Sequence, residues 1–308
     1  MKGMTTFGQV ANKVDELSRH CTDRLISTPD ITFENLKTVR LAGEPHLLRP
    51  RAQSLMANRL GIPMQYLQRC PADVQMFNLN FWIQQEKNPN LFFRFDGQEV
   101  RAIFTPRYRP MDNIDVMERL DRLGYKPDTK VQCCLDAEFM ALSFPDSSQT
   151  FDLGGDRITP GLSICNSEVG LSSLRVAGFF LRLVCTNGLI AKTEIAVAYR
   201  HVSRKVLDDM PAVFAQVAQQ QLRQRDQFRL SMASRVEDPS ATIQAFNRQF
   251  QLAEQEQEAV NWGWLWEPGE TMYHIVNAYT RAAMFNGLAA ASSYRLQAVG
   301  GQILSMAE

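Results

Sequence analysis

The stretch Leu91-Phe-Phe-Arg-Phe95, Asp96-Gly97 and Val100-Arg-Ala-Ile-Phe104 constrains the fold of this chain more than any other. Two apolar runs rich in aromatic and β-branched residues flank an Asp-Gly pair, which accepts the positive-φ turn that joins antiparallel strands. An antiparallel sheet is therefore built around this hairpin. Val131–Leu135 and Phe139–Phe144 read as two more strands turning at Asp136-Ala137-Glu138. Ile158–Cys165, Leu174–Cys185 and Glu194–His201 add further strands.

Helical patterns surround this β-rich middle. Residues 5–22 place Phe7, Val10, Ala11, Val14 and Leu17 at helical spacing. After an alternating stretch at Leu36–Leu41, Pro50–Leu60 forms a helix stopped by Gly61, and Pro63 opens a short one through Leu67. Pro71-Ala72-Asp73 opens another, in which Val74, Phe77, Asn78, Phe81 and Trp82 make one face, so that helices precede the first sheet. Asp112 or Asn113 caps a helix running to Leu123 and ended by Gly124. Beyond Val206 the composition shifts to Ala, Gln, Leu, Arg and Glu, predicting helices over Ala212–Arg235, Ser240–Glu258, Thr271–Asn286 and Ala289–Leu304. The Trp-rich stretch Trp262–Gly269 is expected as a buried elbow.

The expected fold class is α+β: a central antiparallel β-rich body with hairpins, N-terminal helices and a helical C-terminal third. The segments are residues 1–90, 91–205 and 206–308, read as one integrated unit because no Gly/Ser linker or repeat separates them.

Charge and cysteine usage narrow the function classes. Lys+Arg and Asp+Glu are equal at 33 each, so any polyanionic partner must be met by a local patch. The first twenty residues lack the apolar core of a signal peptide, and no run of 18 apolar residues appears, so a cytoplasmic protein without a membrane partner is expected. With 45% hydrophobic residues the chain can fill a core without staples, and Cys21, Cys70, Cys133, Cys134, Cys165 and Cys185 are expected as reduced thiols. His20, His46, His201 and His274 are too scattered to suggest a metal site. The sequence has no GxxxxGK[ST] loop, so no cofactor is expected.

Candidate site residues fall into two groups. Asn166-Ser167-Glu168 and Cys185-Thr-Asn187-Gly188 interrupt apolar runs. They read either as bulges and turns whose side chains satisfy local backbone, or as polar corners on one rim of a sheet. Cys185, His201 and Asn187 superficially form a thiol, base and amide set, and Glu168 could join them in an enzyme such as a nuclease or thiol hydrolase. The second group is basic. Between Arg175 and Arg235 ten Lys/Arg face four acids, with Arg200, His201, Arg204 and Lys205 the densest cluster. Arg107-Tyr108-Arg109 sets an aromatic between two cations, suited to phosphate neutralisation and base stacking. Arg182, inside an apolar strand, either pairs with an acid or faces a groove.

Several motifs taken together carry a resemblance. They are Arg101-Ala-Ile-Phe-Thr-Pro-Arg107-Tyr-Arg-Pro-Met-Asp-Asn113, Gly161-Leu-Ser-Ile-Cys-Asn166-Ser-Glu-Val-Gly170, Arg182-Leu-Val-Cys-Thr-Asn187-Gly, Tyr199-Arg-His201 and Thr271-Met-Tyr-His-Ile-Val-Asn277-Ala. Over roughly residues 35–285 the chain resembles the phage/plasmid-like family built on domain of unknown function 932. The resemblance implies a protein of mobile genetic elements and carries no catalytic residues with it. A nucleic-acid-binding protein that holds or anneals single-stranded DNA in recombination is the leading expectation. An enzyme at the Glu168/Cys185/His201 region is one alternative. The other is an interaction or assembly protein, with homo-oligomers formed through the Gln-rich C-terminal helices.

Overall fold

The structure, a computed structural model, describes residues 1–182, 187–190, 197–199, 205–221 and 225–307. It has the expected α+β class, with strands through the first two-thirds and helices in the last third. Strand β1 (Lys2–Thr6) leads into helix α1 (Phe7–Ser18), which buries Phe7, Val10 and Val14. The helix expected to reach residue 22 ends at Ser18, and Cys21 opens strand β2 (Cys21–Ser27). Strands β3 (Ile31–Phe33), β4 (Thr38–Leu41) and β5 (Glu44–Leu48) follow. The expectation that helices precede the first sheet is therefore corrected. The alternating stretch at Leu36–Leu41 becomes β4, while the turn between β4 and β5 uses Ala42 at φ 50° with Gly43 at φ 89°, a pair lacking the Asn-Gly signature.

Helices α2 (Pro50–Arg59), α3 (Met64–Arg69) and α4 (Ala72–Ile83) lie where the proline and glycine signals place them. The aromatic residues of that face of α4 point outward. Leu79 and Ile83 are buried, whereas Phe77, Phe81 and Trp82 are 67%, 48% and 45% exposed. Asn80 sets this rotation: its Oδ1 accepts from the Phe33 backbone N–H and its Nδ2 donates to the Phe33 carbonyl, both at 2.8 Å. The helix is apolar on more than one side, and this tie to β3 selects the side that packs.

The hairpin forms as expected from strands β6 (Asn90–Asp96) and β7 (Glu99–Phe104), with Asp96 opposite Glu99 around Gly97 at φ 57°. Helix α5 (Asn113–Arg122) and strands β8 (Lys130–Leu135), β9 (Met140–Pro145), β10 (Phe151–Leu153), β11 (Asp156–Asn166), β12 (Leu174–Arg182), β13 (Asn187–Ile190) and β14 (Val197–Tyr199) continue the chain. The helical third comprises α6 (Lys205–Gln221), α7 (Arg225–Ala233), α8 (Pro239–Gln249), α9 (Glu254–Trp266), α10 (Met272–Ala282) and α11 (Ala290–Leu304). The helix expected over Ser240–Glu258 is two, broken where Gln251 takes φ 50°. Trp262, Trp264 and Trp266 sit within α9 rather than in an elbow. Gly263 explains why a helix runs through them: a Cβ there would lie 2.3 Å from the Ala278 carbonyl oxygen, so glycine lets α9 and α10 approach closely.

The chain forms two compact units, Met1–Ala11 with Asp115–Ser167 and Leu171–Glu308, and Asn12–Ile114 with Glu168–Gly170. In the first, the described strands form a sheet in the order β1-β8-β9-β11-β12-β13, with β10 on β11 and β14 on β12. Its largest core surrounds α10, whose Ile275, Val276 and Tyr279 are buried against α9 and α11. In the second unit a six-stranded sheet runs β2-β6-β7-β5-β4-β3, antiparallel except for β5 beside β7. Leu91, Phe93 and Phe95 point to one face of β6 and fill its core with Phe33, Met56 and Leu79. Period-two alternation sends Phe92 and Arg94 to the other face.

Candidate nucleic-acid interface

That opposite face of the second unit is built around Arg94, which is 1% exposed. A guanidinium so buried must be both paired and hydrogen-bonded. Its Nε and Nη2 donate to the two carboxylate oxygens of Asp23 on β2, at 2.9 and 3.1 Å, and Nη2 also donates to Asp112. Nη1 donates to the Glu168 carbonyl at 3.1 Å and to the Tyr108 hydroxyl at 3.3 Å. Burial disfavours the charge, but Asp112 and Asp23 outweigh it and hold the guanidinium well above its ordinary range. Arg94 is thus a permanent cation.

A second buried arginine completes the cluster. Arg101 on β7 pairs through Nη1 with Glu168 Oε2 at 2.7 Å, with side chains 5% and 9% exposed. The other Glu168 oxygen accepts from the Asn113 backbone N–H at 2.6 Å, setting a carboxylate at the start of α5. Arg51 on α2 donates to the Val169 and Gly170 carbonyls. Three arginines thus hold the segment Glu168–Gly170. Gly170 takes φ 77°, and a Cβ there would meet the Phe104 ring at 2.9 Å.

Between these arginines the loop after β7 is locked by Tyr108. Its ring lies parallel on Phe104 at 4.0 Å and 7°, and its hydroxyl reaches the Glu168 carbonyl at 3.3 Å. Burial pushes its hydroxyl pKa up to about 12. Tyr108 is 8% exposed, so the base-stacking role expected for it is corrected: its ring is already covered. Arg107 and Arg109, on either side, are exposed and form no ion pair among the described residues.

The other sequence-nominated residues are placed differently. Asn166 and Ser167 are fully buried at the end of β11, and Ser167 Oγ donates to the Glu138 carbonyl at 2.7 Å and accepts from the Leu171 N–H at 3.0 Å. Ser167 thereby satisfies backbone groups of Glu138 and Leu171. Glu168 is committed to Arg101 and Asn113. Arg182 pairs with Asp156 at 2.9 Å and with Glu267, and Tyr273 donates to Asp156 at 2.6 Å. Of the two readings of this arginine the pairing one is realised. Arg229 and Arg235 likewise pair, with Asp226 and Glu270. Cys185, Arg200, His201 and Arg204 lie outside the described residues, as do the side chains of Asn187 and Lys205. Among the described residues, no three His, Cys, Asp or Glu side chains come together to hold a metal ion. No helix is long and apolar enough to cross a membrane.

Sequence reasoning passed over Asp23, Arg94, Arg101 and Asp112. The signal was present: Arg94 within Leu-Phe-Phe-Arg-Phe and Arg101 within Val-Arg-Ala-Ile are cations inside apolar strands, the criterion that singled out Arg182.

Fold and site define an α+β protein whose six-stranded unit encloses an arginine–carboxylate cluster beneath a cationic loop. The family model described as "Domain of unknown function (DUF932)" matches residues 101–293, more than half of the chain, and the protein belongs to that family. No curated protein and no solved structure matches it. The matched span begins at Arg101 and includes Tyr108, Asn113 and Glu168, which the fold brings together.

Proposed function

We propose that the protein binds nucleic acid, holding or annealing single strands in the cytoplasm for a mobile genetic element of phage or plasmid type, with Arg107 and Arg109 as phosphate ligands. The observation that carries this reading is the alternation across the loop, in which a locked Tyr108 separates two exposed guanidiniums that form no ion pair among the described residues. Cations on an ordered loop lose little freedom on meeting phosphates, and each phosphate neutralised releases counterions. With 33 charges of each sign in the chain, attraction to a polyanion has to be local, and Arg107 and Arg109 offer such a patch. The resemblance to phage and plasmid proteins supports the mobile-element setting.

The test is a fluorescence-anisotropy titration of labelled single- and double-stranded DNA and RNA at low and physiological salt. Tight binding to single strands that weakens steadily with salt is expected. Absence of binding to all four at low salt overturns the reading.

A further inference from the structure

We propose that the cavity between α8 and α9 binds a nucleotide, with its base on the amides of Asn247 and Gln257 and its phosphate on Arg248. The inference concerns other residues than Arg107 and Arg109 and does not rest on their role. The cavity measures about 380 Å³, within the range of small-molecule sites. Gln244, Asn247 and Arg248 share one face of α8 by their spacing of three and four, and Gln257, Asn261 and Trp264 share one face of α9. Between neighbouring helices apolar residues are the rule, and amides there call for partners. Two of these amides are only half used. Asn247 is 5% exposed, and its Oδ1 accepts from the Tyr279 hydroxyl at 2.7 Å, while its Nδ2 donates to no protein group among the described residues. Gln257 Nε2 donates to the Leu252 carbonyl at 2.8 Å, which leaves Oε1 as an acceptor. The cavity therefore offers a donor and an acceptor, the combination that meets the edge of a nucleobase.

Charge narrows the ligand further. No carboxylate lines the cavity, and Arg248 is exposed and forms no ion pair among the described residues. A cationic ligand would be repelled, and a neutral sugar would leave the guanidinium unused. Trp264, packed against the core around α10, supplies an aromatic wall for a planar ring. A planar ring with donor and acceptor edges that also carries an anionic group is a nucleotide. Arginine and phosphate form charge-assisted hydrogen bonds, the strong kind.

The experiment is isothermal titration calorimetry of the full chain with adenosine, guanosine, cytidine and uridine monophosphates and with their nucleosides, circular dichroism confirming the fold of each variant. At least one monophosphate binds, one per chain. Arg248→Ala weakens it by at least about tenfold and leaves the weaker binding of its nucleoside unchanged. Gln257→Ala weakens both. A single-stranded oligonucleotide of the bound base that displaces the monophosphate identifies the ligand as a unit of a strand, and one that does not identifies a free nucleotide; both results support the proposal. Absence of binding by all four monophosphates overturns it. So does parent-like binding in folded Arg248→Ala and Gln257→Ala proteins. Loss of monophosphate binding in Arg107→Ala/Arg109→Ala also overturns it, by placing the ligand on that loop.

Discussion

Arg101 and Glu168 come from distant parts of the chain, yet their Nη1 and Oε2 atoms lie 2.7 Å apart in a setting where neither side chain is more than 9% exposed. Removing one member of a buried pair strands the other, so Glu168→Gln is expected to destabilise the protein by about 3 kcal/mol in urea denaturation. Arg101→Met combined with Glu168→Leu removes both charges and should cost less than the sum of the single changes. Strict additivity would mean that the pair is not coupled.

Tyr108 separates positioning from contact. Tyr108→Phe keeps the stack on Phe104 and loses the hydroxyl contacts to Arg94 and Glu168, costing about 1 kcal/mol. Tyr108→Ala opens a cavity worth roughly 3 kcal/mol or more, and single-strand affinity should fall with it although the ring is buried. Parent-like affinity in a folded Tyr108→Ala protein would show that loop order is irrelevant to binding.

Gly263 sets how closely α9 and α10 pack. Gly263→Ala places a methyl 2.3 Å from the Ala278 carbonyl oxygen, where backbone must move, and should lower stability by about 1–3 kcal/mol in thermal or denaturant unfolding. An unchanged midpoint would argue against this helix contact.

The buried thiols make stability depend on alkaline pH. Burial pushes Cys133 up to about 12 and Cys134 up to about 11. An unfolded thiol ionises near about 8.5, so the folded state holds these protons longer. The stability they contribute is complete below that value and is lost as pH rises through the folded values. Denaturation midpoints should fall above about pH 9, and Cys133→Ser/Cys134→Ser should flatten that fall. In the native protein at neutral pH, thiol reagents should modify the half-exposed Cys70 before Cys133, Cys134 or Cys165.

The sequence makes some of this legible and hides the rest for physical reasons. The β6–β7 hairpin could be read because Asp96-Gly97 is a local turn signal between periodic runs, and α2 could be read from Pro50 and Gly61. Of strands β2 to β5 only β4 left a trace, the alternation at Leu36–Leu41, because β2 finds its partner in β6, distant in sequence. The outward aromatic face of α4 depends on the hydrogen bonds of Asn80 to Phe33, a tertiary contact invisible in helical periodicity. At the site, the cationic character of Arg107 and Arg109 was readable. The inward turn of Tyr108 was not, because it is set by Arg94, Phe104 and Glu168, which only the fold assembles.

Salt-dependent anisotropy of labelled single-stranded DNA, comparing the parent with Arg107→Ala/Arg109→Ala, tests the central claim most directly. Each phosphate contact to a single strand contributes about 0.7 to the slope of log affinity against log salt, so losing two should flatten it by about 1.4. Weaker binding with that flatter slope, in a variant of unchanged stability, is the predicted result. A double variant that binds with the parent's affinity and slope, or a parent that does not bind at low salt, would contradict the account.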